Sequence, residues 1–408
     1  MNRRSRQALA ALVASGIGLA ACSDQVASGP INLSKGVPVG AVLALSGNAN
    51  LYGQDQKTGL ELALASINGT GGIGGRPLAL SIEDSGSDEP SANAAFTLLI
   101  NRGVLALIGP TLSQQAFSAD PIAQRRGVPV VAPSNTATGI PEIGSFISRV
   151  SAQSSVIAPL SIDKALKRNP AIKRAAVFYA QDDAYSTAET VIFQQALTTK
   201  GLKPVTVQRT QLNDQDFQTQ ISAALQQKPD LIVLSLQGVD GGNMVRQLRE
   251  LGYRGTIVAG NGMNTPNIYP ICQQYCDGLL IAQAYSPELQ TPANQTFLAA
   301  FKVAQARNAN ARNLPARAIP PQLLAQAYTA LQVIGDALRR LDQKQPLKTL
   351  SVAQARTALM AEILSGTYQT PLGEIRFSKG GEVIQKNFFV AQVRMDPGGK
   401  TGRFALLP

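Results

Sequence analysis

The sequence predicts an α/β protein built as two doubly wound parallel-sheet lobes joined by a hinge of three strands. Three observations carry that expectation. Apolar stretches of strand length alternate with stretches of helical period, the βαβ rhythm that gives parallel sheets with helices on both faces. The rhythm ends near Ser148-Arg149-Val150 and then starts again, so the 408 residues hold two similar halves. Helical stretches arrive after the second half is complete, which returns the chain to the first lobe before a last crossing.

In the first half, residues 37–45 read as a strand and 54–68 as a helix with Leu60, Leu64 and Ile67 on one face. Strands follow over 78–83, 104–108 and 128–132, with helices over 89–102 and 113–126 between them. In the second half, strands are expected over 175–179, 204–208, 231–236 and 256–259, and the helix after Asp240 aligns Met244, Val245, Leu248 and Leu251. Helices over 295–307 and 322–341 come next, the latter with Leu324, Leu331, Ile334 and Leu338 in a stripe. A helix over 352–364 and extended segments over 374–377 and 388–393 finish the fold. The implied division puts residues 37–152 and 286–366 in lobe 1, and residues 153–285 and 367–408 in lobe 2. Two sheets joined in this way leave a cleft at the carboxyl ends of their strands, where α/β folds bind ligands.

Composition narrows the function. Hydrophobic residues at 44% and charged ones at 15% support real cores. The net charge is +11, but aromatics are 5% and the Lys and Arg are scattered singly, which excludes a nucleic-acid platform. Histidine is absent, which removes the commonest general base, the Ser-His and Cys-His nucleophile pairs and the usual zinc ligand. A binding protein without catalytic residues, cofactor or metal is the expectation.

The N-terminus carries an address. Arg3, Arg4 and Arg6 precede an apolar run from Ala8, too short to span a bilayer, that ends in small residues. Residues 1–21 therefore read as a secretory signal. Leu19-Ala20-Ala21-Cys22 resembles the lipobox of bacterial lipoproteins, which implies cleavage before Cys22 and acylation of its sulfur and amine. More than one acyl chain gives stable anchoring, at the periplasmic or outer face of a membrane. A plain secretory signal with an incidental Cys22 is the alternative. Residues 22–36 are small and polar and read as a tether. Cys272 and Cys276 remain in an oxidising compartment and are expected to pair, since a spacing of four along a helical turn brings their Cα atoms within disulfide reach where the side-chain directions agree; two buried thiols are the alternative.

Further pieces resemble a known family. Leu45-Ser46-Gly47, Tyr52-Gly53, Gly59, Ala65-Ser66-Ile67-Asn68 and Gly71-Gly72-Ile73-Gly74-Gly75 resemble the opening of the periplasmic branched-chain amino acid receptors. Ile108-Gly109-Pro110 with Ser113, Gly127-Val128-Pro129, Ala132-Pro133 with Thr136, Asp183-Ala184-Tyr185, Arg246-Gln247-Leu248-Arg249 with Gly252, and Gly373 with Phe377 continue it in order. The resemblance covers nearly the whole chain after Cys22. It implies a type I periplasmic binding protein that closes on a small molecule, an amino acid by preference, and hands it to the permease of an ATP-driven importer.

The residues themselves suit that chemistry. Ser113 follows a strand and opens a helix, where unsatisfied N–H groups and the helix dipole favour an anion. Ser134, Asn135 and Thr136 lie just past the next strand end; by resemblance, Ser113, Ser134 and Thr136 hold a ligand carboxylate and part of its ammonium. A helix cap at Ser113 and a turn hydroxyl at Thr136 are the plain structural readings. By resemblance Tyr52 closes one side of the pocket and Tyr185 covers the ligand from lobe 2. The family carboxylate that receives the ammonium is replaced by Asn261, and a tyrosine expected near Gln237 or Gly238 is missing. Asn261 accepts a hydrogen bond but supplies no charge, so urea, a short amide or a short peptide are alternative ligands, with Asp182, Asp183 and Asp240 as neighbouring acids. An envelope lipoprotein that uses the same fold to sense or dock a partner protein is the alternative of another class.

Two strings mislead. Gly69-Thr70-Gly71-Gly72-Ile73-Gly74 matches the dinucleotide fingerprint, but a helix precedes it and Arg76-Pro77 leads into a strand, so it reads as a turn. Ser161-Ile162-Asp163-Lys164 and Lys400-Thr401-Gly402 resemble pieces of penicillin-recognising enzymes without their Ser-Asp-Asn, and Ser161 falls in what reads as a surface helix.

Overall fold

The computed structural model describes residues 29–312 and 319–408. The signal, Cys22 and the first part of the tether lie outside them. Lobe 1 begins with β1 (Val37–Leu43), α1 (Asn50–Gly69), β2 (Leu78–Asp84), α2 (Glu89–Asn101), β3 (Leu107–Ile108), α3 (Ser113–Arg125), β4 (Val130–Ala132) and β5 (Ile147–Arg149). Lobe 2 follows with α4 (Ser154–Arg168), β6 (Ala175–Ala180), α5 (Ala184–Thr199), β7 (Pro204–Thr210), α6 (Gln218–Gln226), β8 (Leu231–Ser235), α7 (Gly238–Glu250), β9 (Thr256–Ala259), α8 (Tyr269–Cys272) and β10 (Leu280–Gln283). The chain returns through α9 (Pro292–Arg312), α10 (Gln322–Lys344), α11 (Val352–Ser365), β11 (Tyr368–Thr370), β12 (Gly373–Phe377) and β13 (Val383–Gln385), then ends in β14 (Phe389–Met395) and β15 (Gly402–Leu406).

The strands of lobe 1 form a five-stranded sheet in the order β2-β1-β3-β4-β5, parallel throughout. Lobe 2 holds a seven-stranded sheet, β15-β14-β10-β9-β8-β6-β7, whose last two strands join antiparallel. Helices cover both faces of each. In lobe 1, α1, α10 and α11 bury Leu60, Ile67, Leu324, Leu331, Ile334 and Leu338 on one face, and α2 and α3 bury Phe96, Leu99 and Ala119 on the other. The close approach of α1 to α10 depends on Gly59, where a Cβ would sit 2.2 Å from the Leu324 carbonyl oxygen. Among the described residues, no helix is long and apolar enough to cross a membrane.

Several expectations change on the way. The antiparallel sheet β11-β12-β13 packs Tyr368, Leu372, Ile375 and Phe377 into the lobe 1 core, so the third crossing lies between Gln385 and Phe389, not at residue 367. The tether is already held at its end: Ile31 is buried in lobe 1, and the Val352 N–H donates to the Gly29 carbonyl at 3.0 Å. Leu251 leaves the buried face of α7 and is exposed, because it is the residue that ends the helix. Ser161 is fully buried in α4 rather than on its surface, its hydroxyl donating to the Ala158 carbonyl at 2.8 Å. The glycine string is a turn, closed by the Ile73 and Arg76 backbones at 2.8 and 3.0 Å. Cys272 and Cys276 are joined in a disulfide with their Cα atoms 5.4 Å apart. They do not share a continuous helical turn, since Gln273 between them takes φ +50°.

Candidate ligand-binding cleft

The two sheets repeat one strand order, which reverses between β1 and β3 in lobe 1 and between β6 and β8 in lobe 2. The segments leaving those strands open crevices, and the two crevices face each other. Tyr52, Ser113, Ser134 and Thr136 from lobe 1 and Tyr185, Gln237 and Asn261 from lobe 2 line a single cleft. Asn135 does not. Fully buried, it donates from Nδ2 to the Pro110 and Thr111 carbonyls at 3.1 and 3.2 Å and so ties two lobe 1 loops together.

Lobe 1 offers hydrogen-bond donors. The Ser113 hydroxyl oxygen accepts from the N–H groups of Thr136 and Ala137 at 3.2 and 3.3 Å, which leaves its proton to give. The Thr136 hydroxyl lines the cleft with no protein partner among the described residues. The first N–H groups of α3 open beside them, where a helix has none of its own acceptors. Ser134 is committed elsewhere: it donates to the Thr111 carbonyl at 2.6 Å and accepts from Gln56 Nε2 at 2.7 Å. Gln56, which the sequence reading missed, also accepts from the Thr111 hydroxyl at 2.6 Å.

Lobe 2 presents a wall whose polar atoms are largely spent. The Tyr185 hydroxyl donates to Glu189 Oε2 and accepts from the Gly262 N–H, both at 2.6 Å. Glu189 also accepts from the Asn261 N–H at 3.0 Å and from the Ser235 hydroxyl at 3.3 Å. Gly260 leaves room for it, since a Cβ there would meet Glu189 Oε2 at 1.8 Å. Burial pushes the Glu189 carboxyl up to about 7 against these bonds. Its position four residues after Tyr185, one helical turn along, was the signal available in the sequence.

The acids weighed as charge donors have other work. Asp183 caps α5 through the Ser186 N–H at 3.1 Å and accepts from Gln237 Nε2 at 3.1 Å. Asp182 accepts from the Leu212 N–H at 2.8 Å, and Asp240, in the adjoining outer part of the cleft, from the Asn213 N–H at 3.0 Å. Burial raises Asp183 and Asp240 to about 6. The Asn261 amide is turned with Oδ1 toward Gln322, from whose Nε2 it accepts at 3.0 Å.

The lobes are drawn together over the cleft. The Tyr52 hydroxyl reaches from α1 across the gap, donating to the Gly262 carbonyl at 2.6 Å and accepting from the Gly238 N–H. It thus supplies from lobe 1 the phenol that was missed beside Gln237 and Gly238. The Ala184 N–H donates to Gln114 Oε1 at 3.0 Å, a further bond between lobes.

Residues 36–401 match the periplasmic binding protein family. The chain belongs to that family. Its members are solute-binding proteins that serve ABC transporters, not enzymes. A Leu/Ile/Val-binding protein of Rhizobium johnstonii is 23% identical over 354 residues, 86% of this chain and 90% of the relative. The crystal structure of a leucine binding protein of Thermotoga maritima superposes with a TM-score of 0.76 at 25% identity, over 91% of this chain and 98% of that one. A solute binding protein of Rhodopseudomonas palustris in complex with 3,4-dihydroxy benzoic acid gives a TM-score of 0.75 at 18% identity, over 90% and 95% of the two chains.

Proposed function

We propose that this periplasmic binding protein is a lipid-anchored receptor that closes on a small carboxylate-bearing solute and delivers it to the permease of an ABC importer. The observation that carries this reading is the pair of hydroxyls, Ser113 and Thr136, set in the cleft at the open N-terminus of α3. Branched-chain amino acids, the first class suggested by the sequence, carry such a carboxylate, and so does the dihydroxybenzoate bound by the Rhodopseudomonas relative. Cys22 supplies the anchor in this reading.

Thermal unfolding of the purified protein with leucine, isoleucine, 4-methyl-2-oxopentanoate and benzoate tests the reading, with urea and acetamide as neutral controls. At least one carboxylate raises the unfolding temperature. Thr136→Ala weakens that ligand by about 1.5–3 kcal/mol, one hydrogen bond to a charged group. Stabilisation by the neutral controls alone, or by nothing in the panel, overturns the proposal.

A further inference from the structure

Building on the carboxylate-receptor reading, we infer that the solute carries no ammonium: it is a small acid whose second polar group accepts a hydrogen bond, as the keto oxygen of a 2-oxo acid does. The inference comes from the orientation of one amide. The Ala284 N–H can only donate, and it meets Gln322 Oε1 at 2.7 Å, so the Gln322 amide has its oxygen there and its nitrogen on the other side. That nitrogen donates to Asn261 Oδ1 at 3.0 Å. Asn261 is left with its NH₂ group to offer to the cleft it lines.

Apart from Gln237 Oε1, the side-chain acceptors of the lobe 2 wall and the Gly262 carbonyl already hold hydrogen bonds. The Gly262 carbonyl takes the Tyr52 hydroxyl, and Glu189 is filled by Tyr185, Asn261, Ser235 and Ser154. Gln237 gives its nitrogen to Asp183, so its own Oε1 is a single neutral acceptor. An ammonium enclosed here would face the donor of Asn261 and gain no contact with a carboxylate in the wall of the inner cleft, and a charge taken out of water without a partner binds weakly. Burial raises the Glu189 carboxyl behind that wall to about 7, so at neutral pH it offers a cation at a distance only part of a charge. A keto oxygen beside the carboxylate meets the Asn261 NH₂ instead.

Titration calorimetry with leucine and 4-methyl-2-oxopentanoate, which share one carbon skeleton and differ at C2, tests the inference. The oxo acid binds at least tenfold more tightly to the wild-type chain. Gln322→Glu keeps an acceptor for the Ala284 N–H but removes the donor to Asn261, so the Asn261 amide turns its oxygen toward the cleft and the preference moves at least tenfold toward leucine. Asn261→Asp, which leaves Gln322 in place, moves it in the same direction. Leucine binding as tightly as the oxo acid, or a ratio unchanged in both variants, overturns the inference while the receptor reading stands. Binding of neither compound, with no stabilisation by the other carboxylates, overturns both.

Discussion

Behind the cleft, the lobe 1 loop that carries Thr136 rests on a buried cation, whereas the facing lobe 2 wall rests on buried acids. The Arg149 side chain is wholly inaccessible; its Nη1 donates to the Asn135 and Ala137 carbonyls at 3.1 and 2.7 Å, and its Nε to Glu382 Oε2 at 2.9 Å. One guanidinium therefore holds the loop that carries Thr136 and ties it to the turn before β13 near the third crossing. Glu189, Asp183 and Asp240 have no cation among the ion pairs of the described residues and rely on N–H, O–H and amide donors. The Thr136 loop is thus held by a charge that is compensated, and the lobe 2 wall by acids whose charge depends on pH.

Breaking the cation should have the largest effect. Arg149→Met leaves Glu382 and two loop carbonyls without their partner, and should cost about 3–5 kcal/mol of stability in denaturant unfolding. A loss below about 1 kcal/mol would show that the loop holds itself, and the contrast between the walls would disappear.

The acids should respond to pH with a definite sign. The Glu189 carboxyl rises from 4.5 in the unfolded reference to about 7, so between these values the folded protein binds protons that the unfolded chain has released. Stability accordingly falls as pH rises through that window and stays lower above it. Asp183 and Asp240, raised from 3.8 to about 6, add the same slope at lower pH. Glu189→Gln should flatten the upper part of the slope and exceed the wild type by up to about 3 kcal/mol at pH 8. Unfolding curves at pH 5 and 8 measure this, and an identical pH dependence in both proteins would mean that Glu189 stays ionised.

Tyr52 joins the walls, and its removal sharpens the comparison least. Tyr52→Phe deletes the two bonds that the Tyr52 hydroxyl makes to the lobe 2 loops while keeping the ring. The apparent affinity for the best carboxylate should drop by about 1 kcal/mol, since these bonds form only on closure and water replaces them in the open form. Calorimetry reads the change, and an unaltered affinity would assign closure to the other contacts between lobes.

Much of this protein was legible in its residues, for reasons that differ by region. The strands β1, β6, β8 and β9 are largely apolar runs and emerge close to their observed ends. β5 and β10 are short and lack a period, and α5 carries Thr190, Val191 and Ile192, whose branched side chains blur the helical signal. Ser113 and Thr136 could be placed at the cleft because each follows a strand that ends there, and Tyr52 and Tyr185 through the family resemblance of the segments that carry them. Gln56, Arg149 and Gln322 could not, because each acts on partners that only folding brings near, and Glu189 was marked only by its place one helical turn after Tyr185.

By itself, then, the sequence determined two α/β halves, a return of the chain between them and a rim of hydroxyls, all of which follow from periodicity over neighbouring residues. Only the tertiary structure decided where the third crossing falls, which acids lie beneath the lobe 2 wall and which way Asn261 turns. Those outcomes depend on hydrogen bonds between distant segments, such as Ala284 to Gln322 to Asn261, and local patterns of apolar and polar residues do not encode which donor meets which acceptor.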